Sequence, residues 1–306
     1  MVSICIPAFN AEKYLSETLE SVRKQRISDW ELVVTDDGSN DKTREIVLGF
    51  GQTVTQSVRY LRHEVNRGLP ASRNTCIRSA SSDLVALLDA DDLWDTEHLE
   101  SLIHLSNATN ADIVHSGCIL FDSATGRKLE VRAPSREHIL DTARSLYAHT
   151  YIIQPSSAAI RADVFAHIGD FDLQFKISDD MDFWLRAARA GCRFAYSGKE
   201  TCHYRKHPGA LTGRGAATVE EAALVYRKHL DWNAIPVSTR LATTAQTLVY
   251  AARMYFESNP QKAAHYFYEA WKLRPMRADF LAYSIFAIGK CAASRRPLGH
   301  ANEIPG

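Results

Sequence analysis

The sequence predicts an α/β fold, with a mostly parallel central sheet flanked by helices and a helical extension at the C-terminal end. Three observations carry this. Short apolar runs of strand length alternate with segments whose apolar residues recur at helical spacing. Polar turns rich in Asp, Asn and Gly follow several of those runs. Beyond about residue 215 the strand-like runs stop and only helical periodicity remains.

Val2, Ile4 and Ile6 alternate as in a strand that Pro7 should end, and Leu15, Thr18, Leu19 and Val22 share one helical face. Residues 30–35 read as a buried strand, 41–48 as a helix, 58–61 as a strand, 70–79 as a helix opened by Pro70, and 84–88 as a strand. A helix over 97–105 follows, then one strand over 113–120, a turn at 122–126, and a hairpin partner at 128–132. Residues 180–190 form a helix closed by Gly191. Four helices complete the chain at 218–230, 241–256, 262–273 and 278–292. The expected division is a domain over 1–215, with a first half at 1–106 and a second at 107–215, and an extension over 216–306.

Composition narrows the functional classes. The 306 residues hold 36 Lys and Arg against 36 Asp and Glu, so no basic footprint for nucleic acid stands out. The balance is uneven along the chain. Residues 232–306 carry nine basic and four acidic side chains, which leaves a mildly acidic main body suited to a cation. Six cysteines without a C-x-x-C pair indicate neither a zinc knuckle nor a disulfide framework, so a reducing cytosol is the default compartment. Residues 1–9 show no secretory leader, and the apolar stretch at 280–288 is about half the ~20 residues that span a bilayer.

In parallel sheets ligands bind beyond the carboxyl ends of the strands. The first strand ends in Pro7, Ala8, Phe9 and Asn10, and the second in Asp36, Asp37, Gly38, Ser39, Asn40 and Asp41. Such a turn can accept bonds from a base or ribose, or it can simply turn the chain and cap a helix. At the next such end, Asp89, Ala90, Asp91 and Asp92 place three carboxylates together. Their mutual repulsion calls for a cation, and oxygen ligands select Mg2+ or Mn2+; the alternative is a solvated acidic turn.

The ordered set of residues 2–10, 36–41, 66–74 (Asn66 to Asn74, including Arg73) and 89–92 resembles the family 2 glycosyltransferases of the Rossmann-like GT-A fold. The resemblance covers about residues 1–215. It implies a nucleotide-sugar donor whose base is lined by Pro7, Ala8, Phe9 and Asn10 and bonded by Asp36. It also implies Asp91 as direct ligand of Mn2+ or Mg2+, with Asp89 towards the ribose and pyrophosphate. Phe9 stands where the family often has Tyr. Arg73 either helps to hold the donor or ties its helix to an acidic neighbour.

Residues 178–186 resemble the family's acidic pair at a helix start. The resemblance assigns Asp180 as the general base that activates an acceptor hydroxyl, with Asp179 as its neighbour and acceptor contact. Acids enriched at a helix N-terminus to suit its dipole are the bland alternative. The basic stretch 203–212 resembles the family's C-terminal flap: His207 is offered as a further metal ligand, and Arg205 or Lys206 as neutralising the departing diphosphate.

The extension pairs two apolar stripes across Asn259 and Pro260, weakly resembling a single tetratricopeptide unit, and is expected to pack on the first domain or a second copy of the chain, the alternative being a peptide-binding site. The last helix carries Leu281, Ile285, Ile288 and Ala292 on one face with Lys290, Arg295 and Arg296 around its end, a pattern suited to peripheral contact with an anionic inner membrane. The resulting expectation is an inverting, metal-dependent glycosyltransferase. It would move a sugar, from a UDP-sugar in the first instance, to a glycan or lipid-linked acceptor in cell-surface polysaccharide or glycoconjugate synthesis. The alternatives are a sugar-nucleotide pyrophosphorylase-like enzyme, disfavoured by a first loop without Gly and Arg, and a degenerate scaffold.

Overall fold

The structure, a computed structural model, describes residues 1–150, 153–210 and 215–294. It comprises two compact units, Met1–Gly213 and Arg214–Gly306.

The first unit is built on a seven-stranded sheet. Its strands in chain order are β1 (Val2–Ala8), β2 (Trp30–Asp36), β3 (Val58–Arg62), β4 (Leu84–Leu87), β6 (Ile113–His115), β9 (Ala158–Arg161) and β10 (Phe194–Tyr196), arranged in space as β10-β6-β9-β4-β1-β2-β3. All neighbours pair in parallel except β9, which runs antiparallel to both β4 and β6. Helices α1 (Leu15–Arg23), α2 (Thr43–Gly51), α3 (Leu69–Ser79) and α4 (His98–Thr109) make the crossovers. Ile4, Ile6, Leu15, Leu19, Leu32 and Val34 are buried together, at about 1.5 to 3 kcal/mol for each large apolar side chain withdrawn from water.

Strand β1 runs two residues further than its sequence suggests. The carbonyl of Cys5 faces β4 and accepts from Leu88 N, 3.0 Å, so Pro7 faces the same side. There β4 has already ended, and the missing Pro7 N–H leaves no ladder bond unmade.

The expected single strand over 113–120 is two strands in different sheets. The chain leaves β6 at His115 and enters β7 (Cys118–Asp122) in a second sheet, ordered β5-β11-β7-β8, with β5 at Leu93–Trp94, β8 at Lys128–Arg132 and β11 at Cys202–Lys206. Gly117 makes the crossing: a Cβ there would lie 3.1 Å from the Arg132 carbonyl oxygen and 2.8 Å from Glu200 Cγ. The hairpin of β7 with β8 forms as expected. In this second sheet β11 pairs with both β5 and β7, which carries the residues following it to the acidic turn after β4.

Short helices α5 (Arg136–Leu140) and α6 (Thr142–Tyr147), a 3-10 turn (Pro155–Ser157) and α7 (Ala162–Ile168) lead to α8 (Asp179–Arg189). Helix α8 opens with Asp179, Asp180 and Asp182 in its first turn and is followed by Gly191 at φ +83°.

The second unit consists of α9 (Ala216–Lys228), α10 (Val237–Tyr255), α11 (Pro260–Leu273) and α12 (Ala278–Ser294), around Ala245, Leu248, Ala252, Ala263 and Phe267. Asn259 caps α11, its side chain accepting from Lys262 N at 3.1 Å. Among the described residues no helix is long and apolar enough to cross a membrane.

Candidate active site

Because β1, β2 and β4 are adjacent and parallel, the turns after them share one edge of the sheet. The first two turns are stitched together. Asn10, at φ 48°, donates its N–H to Ser39 Oγ at 2.8 Å, and its side-chain oxygen accepts from Asn40 N at 3.0 Å. Of the four residues expected to line a base pocket, Pro7 and Ala8 are buried within β1, whereas Phe9 and Asn10 are exposed. Phe9 therefore offers an aromatic face and Pro7 and Ala8 only support it.

Asp36 and Asp37 diverge. Asp37 holds the loop before α3: it accepts from Arg67 N at 2.9 Å and Gly68 N at 2.7 Å, and lies 2.6 Å from His63 Nδ1. Asp36 accepts from Ser39 N at 2.8 Å and from the Tyr60 hydroxyl, with the Arg62 guanidinium at 3.4 Å. Its side chain has no exposed surface, while Arg62 is 41% exposed, so a base bonding Asp36 would take the place of Arg62. Asp41 lies outside α2, accepting from Thr43 N and Glu12 N, which is why that helix begins two residues later than expected.

In the third turn the carboxylates have separate fates. Asp92 is fully buried, accepting from Ser156 Oγ at 2.6 Å and Arg205 N at 2.9 Å; burial pushes its carboxyl well above the usual range, with Asp91 and Asp89 adding to the effect. Asp91 stays accessible, with His207 Nε2 2.8 Å from its Oδ2. Asp89 is gripped by Arg73 through both oxygens, at 2.8 and 3.0 Å. A carboxylate and an imidazole nitrogen thus meet at Asp91 and His207. The carboxylate suits Mn2+ or Mg2+, while the imidazole nitrogen suits the transition ion Mn2+ better than the oxygen-seeking Mg2+. Two protein ligands leave coordination positions for phosphate oxygens, so these residues fit a divalent cation, Mn2+ before Mg2+. Among the described residues no group of three or more such ligands converges.

Arg205, one of the two residues expected near the departing diphosphate, is engaged as a brace. It is buried, its Nε donates to the Asp91 carbonyl at 2.6 Å, another nitrogen lies 2.7 Å from Glu17, and the guanidinium sits over Tyr14 and Phe121.

Of its two expected roles, Arg73 makes the ion pairs of the second, and both acids it ties, Asp89 and Asp179, are themselves site candidates. It is 2% exposed and bridges Asp89 on one side and Asp179, at 2.7 Å, on the other. This links the turn after β4 to the start of α8 through an arginine 106 positions from Asp179. Burial lowers the tendency of Arg73 to hold its proton, but Asp179, Asp89 and Asp180 more than reverse this. The single guanidinium faces three carboxylates. Burial also raises Asp179, which Arg73 opposes. Asp180 is pushed up to about 7, by burial and then by Asp179, with Arg73 pulling the other way; its Oδ1 accepts from Met181 N at 2.7 Å. Asp182, in the same helical turn, is fully buried and held by Arg186 at 2.7 Å, which also donates to the Ile168 and Asp170 carbonyls.

Ser156, Tyr60, Arg62 and Glu17 were not singled out from the sequence. Tyr60 and Arg62 alternate on β3 and so share a face, a signal that was available. Ser156 bonds Asp92 and the Asp89 N–H through one hydroxyl, across 64 and 67 positions, and no local pattern marks it.

The model of the family described as Glycosyl transferase family 2 matches residues 3–169. The UDP-Glc:alpha-D-GlcNAc-diphosphoundecaprenol beta-1,3-glucosyltransferase WfgD of Escherichia coli is 37% identical over 115 residues, 38% of this chain and 44% of that protein. The putative glycosyltransferase EpsE of Bacillus subtilis (strain 168) is 26% identical over 229 residues, 74% of this chain and 81% of that one. Among solved structures, S. aureus TarS 1-349 in complex with UDP-GlcNAc superposes with a TM-score of 0.68 at 20% identity, covering 94% of this chain and 87% of its own. The mannosyltransferase PcManGT from Pyrobaculum calidifontis, in complex with GDP-Man and Mn2+, gives 0.63 at 18% identity, covering 96% and 88%. These two likenesses establish the GT-A fold.

Proposed function

The chain belongs to glycosyl transferase family 2, and we propose that it is an inverting, metal-dependent glycosyltransferase that moves a sugar from a UDP-sugar to an acceptor hydroxyl. The carrying observation is the Asp89-Arg73-Asp179 bridge, which joins the donor-side turn to the helix start bearing an acid of shifted proton affinity, Asp180. Donor and acceptor chemistry need that joining. The name of the Escherichia coli relative supports a UDP-sugar donor and a lipid-linked sugar acceptor: that protein uses UDP-Glc and alpha-D-GlcNAc-diphosphoundecaprenol.

In this reading the base stacks on Phe9 and bonds Asp36 in place of Arg62. Asp91 and His207 would hold Mn2+ or Mg2+, which when bound supplies positive charge to the leaving diphosphate. Asp180 accepts the acceptor hydroxyl proton as that oxygen attacks the anomeric carbon. The bond from that carbon to the diphosphate breaks in the same displacement, and the electron pair leaves with the nucleoside diphosphate. Asp179 and Arg73 position Asp180, and Asp89 keeps Arg73 in place.

Calorimetric titration with UDP tests the donor half. Affinity in the presence of Mn2+ should fall at least about tenfold on adding excess chelator, and Asp91→Ala should remove that dependence. Equal affinity with and without chelator would overturn the metal assignment.

A further inference from the structure

We propose that the outward face of the last helix is a docking surface for an anionic lipid membrane. From Ala278 to Gly289, α12 has Asp279 as its one charged residue. One side packs inward: Phe280, Ser284 and Ala287 are buried, and Ser284 Oγ donates to the Ala264 carbonyl at 2.9 Å. The other side should be polar if water covers it. Instead Ile285, Phe286 and Ile288 are 61%, 65% and 57% exposed, and Met276, in the turn before the helix, is 96% exposed. Phe286 stacks on Phe256 with ring centroids 5.8 Å apart, so its exposed position is held by packing.

Charge identifies the occupant. Residues 269–296 carry six Lys and Arg against Glu269 and Asp279. Those two acids are already paired, Glu269 with Lys272 at 3.0 Å and Asp279 with Arg277 at 2.7 Å. The surplus is Arg274 before the apolar stretch and, in sequence, Lys290, Arg295 and Arg296 after it. A two-fold contact between copies of the chain would set this surface against itself and bring like charges together. Anionic headgroups neutralise this surplus of basic residues in the sequence while the bilayer boundary takes up the apolar face, as for a helix lying in the interface plane.

The test uses the full chain with vesicles of phosphatidylcholine, alone or mixed with phosphatidylglycerol, and does not involve transfer activity. The protein should sediment with the mixed vesicles, less so as salt is raised. Ile285→Asp combined with Phe286→Asp should raise the lipid concentration for half-binding at least about tenfold. Arg274→Gln, which leaves the packing intact, should weaken binding to the mixed vesicles only. Three results would overturn the proposal: wild-type protein that stays in solution with both vesicle types, a folded double variant that sediments like wild type, or a wild-type dimer that the double substitution splits, which gives the face to a second copy.

Discussion

Two half-buried acidic clusters, one in each unit, are held in opposite ways. In the second unit Glu220 accepts from the Tyr255 hydroxyl and Lys262 Nζ, both at 2.6 Å, and from the Tyr266 hydroxyl. Burial pushes its carboxyl up, but these partners outweigh that and hold it below the usual carboxylate range. One acid has three donors and its charge is settled. In the first unit Asp89, Asp179 and Asp180 share one guanidinium, and Arg73 Nε and Asp179 Oδ1 are buried without a hydrogen-bond partner. Burial and then the neighbouring Asp179 push one acid, Asp180, up to about 7, and the one shared guanidinium offsets only part of this. A saturated cluster locks helices together; an undersupplied one keeps a proton acceptor poised at neutral pH.

Substitutions can break that contrast. Asp180→Asn keeps the shape and removes the acceptor of the proton, so kcat should fall about 100- to 10,000-fold, or ~3 to 5 kcal/mol, with nucleotide affinity nearly unchanged. Steady-state transfer alongside UDP binding checks it, and near-normal kcat would remove Asp180 from the chemistry. Arg73→Met leaves Asp179 buried and uncompensated. It should cost about 3 to 5 kcal/mol of folding stability in urea melts, and should push Asp180 further up because the one cation lowering it is gone. Glu220→Gln keeps part of its bonding and should cost about 1 kcal/mol, with transfer rates unaffected. If Glu220→Gln proves as damaging to transfer as Arg73→Met, the two clusters do not differ as described.

Much of the first unit was legible because its chemistry sits on consecutive residues: the segments 7–10, 36–41 and 89–92 each lie at or just beyond the end of a strand whose apolar pattern is local. What was not legible depends on pairing across long separations. Arg73 presents two readings in the sequence, and only the approach of α8 shows that it bridges Asp89 and Asp179. The antiparallel entry of β9 between β4 and β6, and the change of sheet at Gly117, are likewise decided by partners elsewhere in the chain. Arg205 carries the charge of a phosphate ligand but is consumed by Glu17 and the Asp91 carbonyl, which only β11 pairing brings near.

The central claim is that burial and Asp179, only partly offset by the shared Arg73, poise Asp180 as the base. The pH dependence of kcat/KM for transfer tests it most directly, since the acidic limb reports the free enzyme's essential base. Asp180 must be unprotonated to act, so kcat/KM should rise about tenfold per pH unit up to a plateau, with the bend at about 7. Asp180→Asn should lack that limb. A bend near the ordinary carboxylate range of about 4, or the same limb persisting in Asp180→Asn, would contradict the account.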